Sequence, residues 1–159
     1  IAAENMPVWV TNIIEDREVF FQDQNVSLKA LASPGHAQWH MMFELSENGE
    51  VGAIFSGDVL FQGWVGHTRN GTSEDLFHSV KLLEKYSDEV IIYSWHDYLK
   101  WNIEFAKIHA PEIYEAMKNF KDKHNEFQFT KLLHERGINP FIWVSKSEFM
   151  RLRELKNNF

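Results

Sequence analysis

The dipeptide Asn48-Gly49 sits between two runs of β-compatible residues, WHMMFEL (39–45) and VGAIFSG (51–57). A tight two-residue turn of the hairpin type needs a positive φ at both central positions. Asn-Gly meets that need best, with a twist that matches paired strands. The chain is thereby committed to an antiparallel hairpin, and its neighbours have to extend a sheet around it. VSLKALA (26–32) alternates apolar and polar residues like a half-buried strand; REVFFQD (17–23) reads as another, and PVWVTN (7–12) as a short one. GDVLFQGWVG (57–66) runs out of the hairpin into a glycine-bearing loop.

The period then changes. SEDLFHSVKLLEKYSD (73–88) opens with a Ser cap and acidic residues, and its apolar side chains at 76, 77, 80, 82, 83 and 86 share one helical face. EVIIYSWHDY (89–98) is again a strand. Beyond it, apolar residues recur every three or four positions, which predicts two helices meeting near Ala110-Pro111. A short helix over TKLLHERG is expected to stop at Gly137, NPFIWV to be extended, and KSEFMRLRELK to form a last helix. The class is α/β: residues 1–98 form strands with one crossover helix, and residues 99–159 a helical appendage.

A chain of 159 residues with 44% hydrophobic content, thirteen Phe and six Trp can bury a substantial core. Its net charge of −7 argues against a general nucleic-acid binder, which needs a basic face for phosphates. No apolar run approaches the ~20 residues of a membrane span, and no signal-peptide pattern is present, so a cytoplasmic location is expected. With no cysteine there is neither a disulfide nor a thiolate site, and any metal must be held by His, Asp or Glu.

Three residues of that kind stand where an apolar strand gives way to a loop: His36 after SPG, Asp58 in FSGDVLF, and His96 in IIYSWHDY. His40 lies four residues beyond His36, a helical metal-binding spacing. However, the turn signal Pro34-Gly35 puts His36 on a loop and His40 in the following strand. Strand ends can converge on one edge of a sheet, and two neutral imidazoles with a bridging carboxylate suit borderline divalent metals. Taken singly, each residue serves equally well as a turn former, a cap or a structural hydrogen-bonding group, and Asp97 suits a cap for the segment after it. His78, His109, His124 and His134 fall on helices and read as surface or packing residues.

The order SPGH, FSGDVLF, helix, IIYSWHDY resembles the second half of the metallo-β-lactamase fold superfamily. In particular it is similar to glyoxalase II (hydroxyacylglutathione hydrolase), whose segments read approximately TPGHT, FTGDTLF and YPGHEY. HDYLKWNIEFAKIHAPE resembles that family's HEYT-x-x-N-x-x-FA-x-x-x-x-P stretch, INPFIWV its TNPFLRV, and VGHTRNGTSEDLF its CGRFFEGTAEQM. The resemblance covers nearly the whole chain. It implies the C-terminal half of an αββα sandwich followed by a small helical domain, and a centre of two divalent metal ions, zinc first, with iron or manganese as alternatives. Activated water at that centre would hydrolyse a thioester such as an acyl-glutathione. His36 would be a ligand of the first ion, Asp58 the catalytic carboxylate bridging both, and His96 a ligand of the second. Tyr98, His67 and Arg69 would meet the substrate.

Three departures qualify the likeness. The superfamily's His-x-His-x-Asp-His motif is absent, and in the family it precedes a segment like AAENMPVWV. The expectation is therefore a chain that begins after the motif, is inactive alone, and associates with its missing N-terminal half or with another copy. His67 stands where the family has a basic residue, and Arg69 where it has an aromatic one. Trp95 replaces the glycine before the last histidine, and Gln38-Trp39 replaces Pro-Gly after the first, which would reshape the pocket. Two other readings keep the fold: a mono-iron persulfide dioxygenase-like enzyme, or a degenerate protein used for binding.

Overall fold

The structure, a computed structural model, describes residues 2–3, 12–124 and 129–159. The strand expected at 7–12 falls almost wholly outside these. Ten strands and five helices occur among the described residues. β1 (Ala2–Ala3) pairs in parallel with β2 (Ile13–Ile14). β3 (Val19–Asp23), β4 (Val26–Ala32), β5 (Met41–Glu47) and β6 (Glu50–Gly57) form an antiparallel meander. The β5–β6 turn is the expected one, with φ of 53° at Asn48 and 82° at Gly49. His40 lies just before β5 rather than in it.

Residues 57–66 fold back as a miniature hairpin, β7 (Leu60–Phe61) against β8 (Trp64–Val65), where the sequence suggested only a loop. α1 (Ser73–Lys81) and a 3-10 turn (Leu82–Lys85) carry the chain to β9 (Ile91–Ser94). The cap of α1 is Thr72, not Ser73: its hydroxyl oxygen accepts the Asp75 N–H at 3.0 Å. β9 lies parallel to β6, so α1 is the crossover of a βαβ unit.

α2 (Leu99–His109) and α3 (Pro111–Lys123) break at Ala110, with Pro111 in the first turn of α3. β10 (Phe129–Lys131), α4 (Leu132–Ile138) and α5 (Lys146–Asn157) complete the chain. Two expectations are corrected here. Gly137 lies inside α4, which runs one residue further to Ile138 before Asn139 caps it. NPFIWV is a series of turns rather than a strand, because Phe141 and Ile142 tuck into the core.

The main sheet runs β10-β9-β6-β5-β4-β3. One face presents Leu31, Met42, Ile54 and Ile92 to Leu76, Val80 and Leu83 from the α1 region and to Phe149 and Leu152 of α5. β10 and these α5 side chains carry the packing across position 98: the helical region contributes a strand and part of the core to the sheet. A second cluster, including Leu99, Ile103, Met117, Phe120 and Ile138, holds α2, α3 and α4 together. Among the described residues the opposite sheet face is open, with Phe55 and Phe129 exposed. Phe43, Phe55, Tyr93 and Phe129 lie in register across four strands there, and Phe55 stacks on Tyr93 at 5.3 Å. Among the described residues, no helix is long and apolar enough to cross a membrane.

Candidate metal centre

β4, β6 and β9 end at the same edge of the sheet, and each delivers one of the three singled-out residues there. The loop after β4 turns at Gly35 (φ 137°), whose Cα packs so closely on α1 that a Cβ would lie 2.4 Å from the Leu76 Cα. His36 is the next residue. Its Nδ1–H donates to the His67 carbonyl at 2.7 Å, which leaves a lone pair on Nε2, 3.6 Å from Asp58 Oδ2.

Asp58 comes directly after Gly57 (φ 53°) at the end of β6. His96 lies in the loop after β9, which the Trp95 N–H ties back to the Gly57 carbonyl at 3.2 Å. Its Nε2 is 3.7 Å from the other carboxylate oxygen, Oδ1. Asp58 thus presents one oxygen to each imidazole. Both gaps are too long for hydrogen bonds. They are close to the ~3.3 Å that separates two donors sharing one ion with bonds of about 2.0 Å. Among the described residues no three His, Asp or Glu side chains gather round a single point. The residues therefore fit a divalent cation in part: two nitrogen–oxygen pairs, one on each side of a shared carboxylate.

His40 is not a third donor. Its Nε2 accepts the Asp58 main-chain N–H at 3.1 Å, and its Nδ1 lies 2.9 Å from the Ser33 hydroxyl. Burial, and after it the neighbouring His36, holds its basicity below that of ordinary imidazole, in keeping with a neutral acceptor. Gly57 is required beside it, since a Cβ would sit 2.7 Å from His40 Nε2. Gly66 is tighter still, a Cβ there falling 1.8 Å from the Asp58 carbonyl oxygen. Gly66→Ala is expected to destabilise the fold by about 3 kcal/mol or more, read as a drop in the urea midpoint; an unchanged midpoint would contradict this packing.

Tyr98, 42% exposed, meets Phe61 edge-on at 5.1 Å and the His96 ring at 5.2 Å. Asp97 accepts the Leu99 N–H at the start of α2, the capping role open to it in sequence. The side chains of His67 and Arg69 are exposed. Their main chains carry contacts that sequence reasoning missed: the His67 carbonyl orients His36, and the Arg69 N–H donates to the His36 carbonyl at 3.0 Å. Trp95, 70% exposed, lines a cavity of about 520 Å³ with Met41, Phe43, Phe55 and Tyr93, and Asp58 stands at its wall. Trp39 is partly buried and does not line that cavity.

No family model matches the sequence. It is 28% identical to the hydroxyacylglutathione hydrolase of Dictyostelium discoideum, over 84% of this chain and 54% of that protein. It is 29% identical to the enzyme of that name from Neisseria meningitidis, over 80% of this chain and 58% of the relative. The chain spans little more than half the length of these relatives. In structure it is similar to a metallo-beta-lactamase from Staphylococcus aureus, with a TM-score of 0.68 and 19% identity over 99% of this chain and 41% of that one. ETHE1 from Myxococcus xanthus gives a TM-score of 0.70 at 21% identity, over 98% and 57% respectively. Fold and site edge together define the metallo-β-lactamase fold, and this chain matches about half the length of the solved structures that share it. Within that class its sequence resembles the hydroxyacylglutathione hydrolases.

Proposed function

We propose that this chain is the C-terminal portion of a metal-dependent hydrolase acting on a thioester such as an acyl-glutathione. The observation that carries the reading is Asp58, whose two oxygens face His36 and His96 from between them. In this reading His36, Asp58 and His96 would hold two divalent cations, one imidazole for each and the carboxylate shared between them. Zinc suits two neutral imidazoles with a carboxylate, and iron or manganese would be tolerated by the same donors. TTHA1623, a further structural relative at a TM-score of 0.54, was solved in a di-iron-bound form. When bound, such ions supply Lewis acidity, which acidifies water and polarises a carbonyl.

The chain's own residues set the geometry for that chemistry. The His67 carbonyl keeps the proton on His36 Nδ1, so Nε2 remains a donor. His40 pins the Asp58 main chain, and Gly57 and Gly66 allow the close approach. In this reading Tyr98, whose ring lies 5.2 Å from that of His96, would hold the thiol part of the substrate, and His67 and Arg69 would meet the substrate as well. The donors counted here do not complete either coordination shell, so the others come from outside these residues. The open aromatic face of the sheet would be covered by the complementary half of the sandwich or by another copy of the chain.

The test is hydrolysis of an acyl-glutathione by the zinc-loaded whole protein, followed as free thiol released. Turnover with two bound ions is the expected result. A fully loaded protein that leaves thioesters intact overturns the assignment, and one iron in place of two ions favours the persulfide dioxygenase-like alternative. Residues 1–159 are expected to be inactive alone; a full rate from them would refute the need for outside donors.

A further inference from the structure

Residues 61–66 form a strap between Asp58 and the His67 carbonyl, and its main chain is wired by buried side chains of the helices. Asn139 Nδ2 donates to the carbonyls of Phe61 at 3.4 Å and Trp64 at 3.0 Å. Asn102 Nδ2 donates to the Gln62 carbonyl at 2.9 Å, and Glu135 Oε2 accepts the Gly63 N–H at 3.0 Å. Arg153 Nη1 donates to the carbonyls of Val65 at 3.3 Å and Gly66 at 3.1 Å. All four side chains are buried. A buried polar group is tolerated only when bonded, and the two-residue strands β7 and β8 leave most strap groups without ladder partners. The helices supply what a longer ladder would have supplied.

Arg153 is the unusual member. It is 2% exposed and forms no ion pair among the described residues; its Nε and Nη2 donate to Asn157 Oδ1 instead. A buried charge without a counter-charge is expensive, so an apolar side chain would serve packing better. What a guanidinium adds is a rigid planar fork of donors. Its two carbonyl acceptors end where the centre begins. The Gly66 N–H donates to the Val59 carbonyl at 3.1 Å, Gly66 packs on the Asp58 main chain, and the next carbonyl, on His67, receives His36 Nδ1–H.

We propose that Arg153 is a positioning residue for the metal centre: by holding the Val65 and Gly66 carbonyls it sets the place of the His67 carbonyl, and hence the tautomer and orientation of His36. The inference rests on the reading of His36 as a ligand only for its consequence in metal binding; the placement of the His36 ring does not depend on it. Partners that orient a ligating histidine are commonly worth 10–100-fold in metal affinity.

The test begins on the metal-free whole protein with nitrogen-15 NMR of the histidine rings. In the wild type, His36 is expected as the Nδ1–H tautomer with its ring proton slow to exchange. Arg153→Met should mix the tautomers and speed that exchange by at least about tenfold, while His40, held by Ser33 and the Asp58 N–H, keeps its signature. Arg153→Lys retains the charge and most of the volume and serves if the Met variant does not fold. A lysine ammonium can reach the carbonyls that Nη1 serves but loses the paired bonds to Asn157 Oδ1 that fix the guanidinium, so a smaller shift of the His36 signal is expected. A His36 signal unmoved in a folded Arg153→Lys or Arg153→Met protein overturns the proposal. In the zinc-loaded whole protein, the Met variant should bind about 10–100-fold more weakly at one of two sites. A moved His36 signal with unaltered zinc affinity upholds the positioning role and counts instead against His36 as a ligand.

Discussion

Asp58→Asn in the whole protein is expected to lower zinc affinity by more than about 100-fold, and hydrolysis with it. The change is nearly isosteric. The main-chain N–H that donates to His40 is untouched, so the loop keeps its anchor. What changes is the pair of oxygens that face His36 and His96. An amide carries no charge, and its NH2 group has no lone pair for a cation, so whichever histidine it faces loses its partner donor. Loss of a residue that merely orients a ligand already costs up to about 100-fold, and a bridging carboxylate serves two ions at once. Chelator competition measures the affinity, and circular dichroism checks that the fold persists. Tight retention of both ions by a folded Asp58→Asn protein would remove the basis of the proposed function.

The second large effect concerns pH and lies away from the centre. Glu135 is fully buried in α4, and burial, opposed by hydrogen bonds from Asn139 and the Gly63 N–H, raises its carboxyl to about 8. Its Oε1 has no hydrogen-bond partner among the described residues, so nothing there offsets the cost of burying a negative charge. The folded value stands above the unfolded one, so the folded state holds this proton more tightly. The stabilisation is complete below about pH 4.5 and is lost as pH rises through about 8. A shift of that size corresponds to a few kcal/mol. Glu135→Gln reproduces the neutral acid at every pH. The wild type should therefore lose stability between pH 5 and pH 9 relative to the variant, by a few kcal/mol in urea unfolding. Parallel curves for the two proteins would show that Glu135 ionises as easily folded as unfolded.

The same contrast between local and distant causes separates what could be read in the residues from what could not. The Asn48-Gly49 turn, the start of α1 within one residue, and the α2–α3 break at Pro111 were legible because each depends on neighbours in sequence: a φ above zero, a cap, a missing N–H. Strand ends leading into His36, Asp58 and His96 marked candidate residues, and the structure brings these three together at one edge. By contrast, Gly137 looked like a helix stop yet lies inside α4, and NPFIWV looked extended yet turns to bury Phe141. The first is an offset of a single residue; in NPFIWV tertiary packing overrode local preference.

The roles of the His67 carbonyl and of Arg153 had no sequence signature. A main-chain carbonyl has no letter of its own, and a buried arginine on a helix reads like a surface one until its acceptors, 87 and 88 residues away, are known. From its residues alone this chain determined where most of its longer strands and helices lie, which of them share a hydrophobic face, and which side chains have donor chemistry. Only the tertiary structure decided which strand ends meet, which imidazole is a donor and which a support, and what holds the strap between them. Turns and caps are settled by interactions within a few residues, whereas a site is settled by contacts that exist only once distant segments have packed.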